Sequence, residues 1–277
     1  LNIRMMRYSG SKYNFVEIIN EIINKSNKKI FIEPFIGSGS VFINTIDKFD
    51  EYIINDVDSN IISIWNAIKE FNYKDWSDRK RYIFNKFGDI KNNKESYYNF
   101  RNTYNEKIHF TDKKEKGIYL YFLANSCINS FLRFGPNGMN QSYGNVSYTF
   151  NKLSYNKIKM KLKKTKILNL DYTEIEYSNS LLFLDPPYFE RDSSYSKFDN
   201  EDNKEFINNI IQYSKNNDVL YTDIYNEEVY KQINKFKRKL LRKQMSNTSP
   251  NRKNNLEKVK GNKEVLYYKI EENNEYS

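Results

Sequence analysis

Apolar runs along this chain keep stopping at acids. Leu181-Leu182-Phe183-Leu184 ends in Asp185-Pro186-Pro187-Tyr188. An uninterrupted run of that kind suits a strand buried on both faces of a parallel sheet, and prolines cannot prolong it, so Asp185 is expected at a strand's carboxyl end. The figure recurs where Ile30-Phe31-Ile32 meets Glu33-Pro34, where Tyr52-Ile53-Ile54 meets Asn55-Asp56, and where the run from Thr165 to Leu170 meets Asp171-Tyr172. Open α/β sheets bind ligands outside the carboxyl ends of their strands. Glu33, Asp56, Asp171 and Asp185 are therefore expected to converge along one sheet edge, while each taken singly is as well explained as a capped or solvated acid. Val219 to Asp223 and Glu264 to Tyr268 read as further strands.

Helical spacing fills the intervals. It appears at Ile18, Ile19, Ile22 and Ile23, at Val41, Phe42 and Ile46, at Ile61, Ile62, Ile64, Trp65 and Ile68 behind a Ser59 cap, and at Phe206, Ile207, Ile210 and Ile211. Between Lys29 and Ser40 the pattern is strand, tight turn, helix. Gly37 and Gly39 permit positive φ and close approach of backbone to a ligand, or serve the turn alone. No Gly-Lys-Ser/Thr follows, so this is not a phosphate-cradling Walker loop, and the spacing is not the full dinucleotide fingerprint.

From Asn72 to Lys164 the composition shifts to Lys, Asn, Tyr and Phe with few buried-type strands. An inserted domain at 72–164 is expected, dividing a catalytic domain into 1–71 and 165–277. Tyr119 to Ser126 reads as a helix leading into Asn129 to Gly144, where Gly135-Pro136-Asn137-Gly138 signals a turn between two arms. A β-hairpin of this kind enters a major groove, where Arg reads guanine and Asn or Gln reads adenine. Asn129, Arg133, Asn137, Asn140 and Gln141 are the candidate readers; an exposed hairpin of no special use is the plain alternative. Tyr195 and Phe198 offer rings to flank a base, with ordinary packing an equal explanation for Phe198.

The charge balance of the 277-residue chain, 45 Lys+Arg against 35 Asp+Glu for a net +10, favours a polyanionic partner. The support is modest, because Asn, Lys, Ile and Tyr are abundant together as an AT-rich genome would make them. Basic residues are dense from Lys152 to Lys166 and from Lys231 to Lys260. A lone Cys127 excludes an internal disulfide, and with a lone His109 it leaves too few soft ligands for zinc, so no metal is expected. No apolar run of membrane-spanning length and no signal-peptide core occurs. A protein that is soluble, cytoplasmic and without a membrane partner is the expectation.

Asp-Pro-Pro-Tyr carries the chemistry. Its prolines fix two φ angles and remove two donors, leaving a stiff loop of outward carbonyls. The Asp185 carboxylate and the Pro186 carbonyl can accept both hydrogens of an exocyclic amine and free its lone pair from the ring, while Tyr188 stacks on the ring. A proline turn bearing a solvated Asp is the bland alternative. The tetrapeptide resembles the catalytic box of amino methyltransferases that use S-adenosylmethionine.

The order of the pieces over nearly the whole chain is similar to Dam-type DNA N6-adenine methyltransferases of the alpha group. The resemblance implies a Rossmann-like class I methyltransferase sheet with an inserted, mainly helical target-recognition domain carrying a β-hairpin. It implies methyl transfer from S-adenosylmethionine, without metal, to N6 of an adenine flipped from double-stranded DNA, and a companion restriction endonuclease as a candidate partner. It assigns Tyr8 and Lys12 to an N-terminal cofactor motif and Glu33, Pro34, Phe35, Gly37 and Gly39 to the methionine loop. Asp56 falls to the ribose contact, Asp171 and Tyr172 to the adenine end, and Asp185, Pro186, Pro187 and Tyr188 to the catalytic box, Asp185 also touching the cofactor. Asn129, Arg133, Gly138 and Gly144 match the DNA-reading loop, and Tyr195 joins the DNA contacts. Met139 to Tyr143 depart from the Phe-Asn-Val-Pro-Phe of GATC-specific members, which leaves the recognised sequence open. RNA or cytosine-N4 methylation, and a DNA-binding protein that has lost catalysis, are the rival readings.

Overall fold

The computed structural model describes residues 2–6, 8, 10–106, 113–144, 151–187, 200–241 and 264–271. In chain order the elements are α1 (Val16–Ile23), β1 (Ile30–Glu33), α2 (Ser40–Asn44), β2 (Glu51–Asn55), α3 (Ser59–Glu70), α4 (Tyr73–Phe87), α5 (Lys94–Glu106) and α6 (Lys113–Ala124). There follow β3 (Phe134–Gly135), β4 (Gly138–Met139), α7 (Lys152–Leu162), β5 (Thr165–Leu168), β6 (Leu181–Leu184), α8 (Asn200–Tyr213), β7 (Asp218–Ile224), α9 (Glu227–Gln232), β8 (Lys237–Leu241) and β9 (Glu264–Lys269). The chain divides into two compact units, one of Leu1–Val16 with Phe35–Ile175, the other of Glu17–Pro34 with Glu176–Ser277. Both are mixed α/β, as the alternation of apolar runs and helical spacing predicts.

In the first unit β2 and β5 pair in parallel, from Tyr52 against Thr165 to Asn55 against Leu168. The apolar stripe of α3 is buried at Ile61, Ile62, Ile64, Trp65 and Ile68. Its cap is Asp58, whose side chain accepts from the Asn60 N–H, and not Ser59, which is already the first helical residue. Helices α3 and α6 cross so closely that a Cβ on Gly117 would lie 2.0 Å from the Ser63 carbonyl oxygen. Only glycine allows that approach. The helix expected from Tyr119 to Ser126 starts earlier and ends at Ala124, and Ile46 falls beyond α2 because Thr45 turns extended. Segment 72–164 is mainly helical, contributing α4 to α7, and its turn closes a short antiparallel hairpin that pairs Phe134 with Met139 and Gly135 with Gly138.

In the second unit β1, β6 and β7 run parallel, with Phe31 against Leu181 and Leu184 against Tyr221. The sheet continues antiparallel through β9 to β8. All four residues of β6 are buried, which is why it reads as an uninterrupted apolar run, and all seven of β7 are buried although three of them, Asp218, Thr222 and Asp223, are polar. Strand β8 and helix α9 have no counterpart among the sequence expectations. Among the described residues no helix is long and apolar enough to cross a membrane.

Candidate active site

Parallel strands put their carboxyl ends on a common edge, so each unit gathers two of the four expected acids. In the first, Asp56 follows β2 and Asp171 lies three residues past β5. The side chain of buried Asn55 ties these ends together, donating from Nδ2 to the Leu170 carbonyl at 3.0 Å and accepting from the Leu170 N–H at 2.9 Å. Asn169 reaches back with its Nδ2 to the carbonyls of Asp56 and Val57. Neither asparagine is assigned a role by the sequence.

Asp56 accepts the Gly37 N–H on Oδ2 and the Asp58 N–H on Oδ1, each at 3.0 Å. Burial nevertheless pushes its carboxyl up to about 6, because two backbone donors offset only part of the lost hydration and Asp58 adds a like charge. Gly37 is also held through the following peptide, where Trp65 Nε1 donates to its carbonyl at 3.1 Å. Thus a residue expected only as core also fixes the loop. Gly37 and Gly39 both take positive φ, +42° and +63°. At Gly39 a Cβ would fall 2.3 Å from Trp65 Cζ2, so packing against α3 dictates that glycine. Tyr8 lies over Gly37, its ring 3.2 Å from where a Cβ would be.

Lys12 is buried and its Nζ donates to the Gly10 carbonyl at 2.8 Å. The Ser11 and Ser40 hydroxyls bond at 2.6 Å, joining the N-terminal turn to the start of α2. Phe35 and Tyr172 meet as a tilted ring pair, 5.4 Å between centroids, both half-buried. Asp171 is exposed and caps the turn Tyr172–Glu174, accepting from Thr173 N and Oγ1.

In the second unit Glu33 and Pro34 are buried at the end of β1, and Asp185 leaves the same edge after β6. Asp185 is partly accessible, Pro186 buried and Pro187 exposed. The Thr222 hydroxyl, from β7, donates to Asp185 Oδ1 at 2.7 Å. Sequence reasoning recognised this stretch as a strand and gave Thr222 no role. Tyr188, Tyr195 and Phe198 lie outside the described residues.

The hairpin is anchored by α5. Asn105 donates to the Met139 carbonyl and accepts the Met139 N–H, both at 2.9 Å, while Tyr97 and Arg101 donate to the Gln141 carbonyl. Arg133, Asn137 and Asn140 are exposed around the turn, and Arg133 Nε donates to Asn140 Oδ1 at 2.8 Å. Asn129 is exposed with φ 57°, a conformation that asparagine tolerates better than most residues. It is followed by buried Ser130 at φ 53°. Gln141 is half-buried and its Oε1 accepts the Ser142 N–H.

A family model described as D12 class N6 adenine-specific DNA methyltransferase matches residues 8–256. A DNA adenine methylase of Serratia marcescens is 29% identical over 137 residues, covering 50% of this chain and 47% of that protein. A DNA adenine methylase of Haemophilus influenzae is 27% identical over 188 residues, covering 66% of this chain and 63% of that one. A type II methyltransferase of Paramecium bursaria Chlorella virus NC1A is 26% identical over 220 residues, covering 76% and 79%. The chain spans about half the length of the first of these proteins and under two thirds of the second.

Proposed function

Because this chain belongs to the D12 class of N6 adenine-specific DNA methyltransferases, we propose that it transfers a methyl group from S-adenosylmethionine to N6 of an adenine extruded from duplex DNA. The observation that carries the reading is the family match from residue 8 to 256, which contains a carboxylate delivered by a buried parallel strand onto a diproline turn. The residues fit the cofactor by the chemistry of their donors and acceptors. Asp56 is a carboxylate suited to ribose hydroxyls, Phe35 and Tyr172 present ring surface to a base, and the doubly anchored Gly37 makes a rigid wall.

Bound there, S-adenosylmethionine would supply an activated sulfonium methyl to the N6 lone pair, with the neutral thioether as leaving group. The chain's own work is then position and electrostatics. Asp185 and the Pro186 carbonyl accept the amine's two hydrogens, which turns the lone pair out of conjugation. One of those protons leaves through Asp185 toward solvent. Tyr188 stacks on the extruded ring, and Asn129, Arg133, Asn137, Asn140 and Gln141 of segment 72–164, with Tyr195 after the box, contact the duplex. Tyr8, Lys12, Gly39 and Asp171 in the first unit, and Glu33 and Pro34 in the second, keep the cofactor roles that the family resemblance assigns them. A cytoplasmic enzyme fits this reading, with a companion restriction endonuclease as one candidate partner and restriction protection, regulation and phage counter-defence all open as its role.

The test is modification-sensitive sequencing of unmethylated plasmid DNA after incubation with the chain and S-adenosylmethionine. N6-methyladenine at one recurring short site is expected, and its absence with cofactor binding intact would turn the assignment toward RNA. Asp185→Ala should abolish turnover while the circular dichroism spectrum stays unchanged; an active alanine variant removes Asp185 from the mechanism.

A further inference from the structure

Strand β7 outruns strand β6. Their register pairs Leu184 with Tyr221, after which the prolines end β6 while β7 continues to Ile224. Thr222 therefore stands beside Asp185 where the backbone ladder has stopped, and a side-chain bond takes its place. The Thr222 hydroxyl has a single proton. It lies 2.7 Å from Asp185 Oδ1 and 3.4 Å from the Leu184 carbonyl, so the carboxylate receives it. Thr222 is fully buried, and a buried hydroxyl is costly unless its bond is made. Strand alternation sends Tyr221 and Asp223 to the opposite face, where the Tyr221 hydroxyl donates to Asp223. Pro186 and Pro187 have no N–H with which to steady the carboxylate.

We propose that Thr222 is a positioning residue for methyl transfer, fixing the plane of the Asp185 carboxylate in the orientation that takes a hydrogen from the target amine. The inference rests on the reading of Asp185 as the amine-orienting acid. It gives a partner to the hydroxyl that β7 buries at Thr222, as Tyr221 on the opposite face gives one to Asp223. Valine would fill the same volume and suit the strand equally well. The hydroxyl is therefore there for Asp185.

The experiment compares steady-state and single-turnover methylation of plasmid DNA by the unaltered chain and by Thr222→Val, Thr222→Ser and Asp185→Ala. S-adenosylhomocysteine affinity is measured alongside. A hydrogen bond to an ionised acceptor corresponds to a roughly 10- to 100-fold loss of kcat in Thr222→Val. KM values and S-adenosylhomocysteine affinity should hold within about threefold, and Thr222→Ser should restore most of kcat. Should the valine variant fail to fold, Thr222→Ala against Thr222→Ser gives the same contrast. A valine variant as fast as the unaltered chain overturns the proposal, as does a serine variant as slow as valine, which would assign the effect to packing. An unaltered chain with no methylation activity overturns this inference and the functional reading together, whereas an active one with an indifferent Thr222 overturns this inference alone.

Discussion

At the scale of single residues, two glycines at positive φ separate two physical demands that sequence alone runs together. Gly10 and Gly39 both take positive φ, yet a Cβ on Gly10 meets nothing within 4 Å while one on Gly39 would run into Trp65. Gly10→Ala should cost only the strain, about 1 kcal/mol, and Gly39→Ala about 2–4 kcal/mol by denaturant titration. Equal losses would mean that the indole moves aside. Asp56 makes a prediction in pH. Its carboxyl is raised from 3.8 to about 6 in the fold. Between those values the folded chain holds a proton that the unfolded chain has lost, so this group's contribution to stability falls as pH rises and levels off above about 6. The penalty is on the order of 2–3 kcal/mol. Asp56→Asn removes the titration, so its melting temperature relative to the unaltered chain should climb between pH 4 and pH 7. A difference that stays constant over that range rejects the buried, titrating carboxyl.

At the scale of elements, legibility followed burial. Strands β1, β2, β6 and β7 were readable because three or four contiguous apolar residues stopped at a polar one, Glu33, Asn55, Asp185 and Thr222 in turn. Strand β8 was not: among the described residues Lys237-Arg238-Lys239-Leu240-Leu241 pairs with β9 alone, and it buries one of its five residues, leaving little apolar pattern to see. Helices α4 and α5 hid behind polar composition, their buried positions held by Trp76, Ile83, Tyr97, Phe100 and Tyr104 at wide spacing. The Asp-Pro-Pro box was local and therefore visible. Its Thr222 partner lies 37 residues away and is selected by strand register, which a linear reading does not supply. The hairpin's turn was likewise local, but its anchor was not, since Asn105 sits 34 residues before Met139. Asn105→Ala should cost about 1–2 kcal/mol of hairpin stability. In hydrogen–deuterium exchange the Met139 amide should lose its protection while α3 keeps its own; an unchanged Met139 would show that Tyr97 and Arg101 suffice.

At the scale of the whole molecule, a net charge of +10 overstates what is available to a polyanion. The lysine-dense stretch from Lys152 to Lys166 is partly spent inside the first unit. Lys159 Nζ donates to the carbonyls of Glu70 and Phe71 at the end of α3, and Lys161 Nζ to those of Phe42 and Thr45 at the end of α2. Helix carboxyl ends carry unpaired carbonyls and partial negative charge, so a cation there is structural. Lys161 also lies over the Tyr52 ring, 4.9 Å from its centroid. Duplex binding releases about 0.9 counterion for each phosphate neutralised, so the slope of log K against log salt counts the lysines and arginines that face DNA. Lys159→Met and Lys161→Met should each lower the melting temperature, by an amount equivalent to about 1–2 kcal/mol, and leave that slope where it was. A slope reduced by about 0.9 in either variant would place that lysine on the DNA instead and return the full stretch to the binding surface.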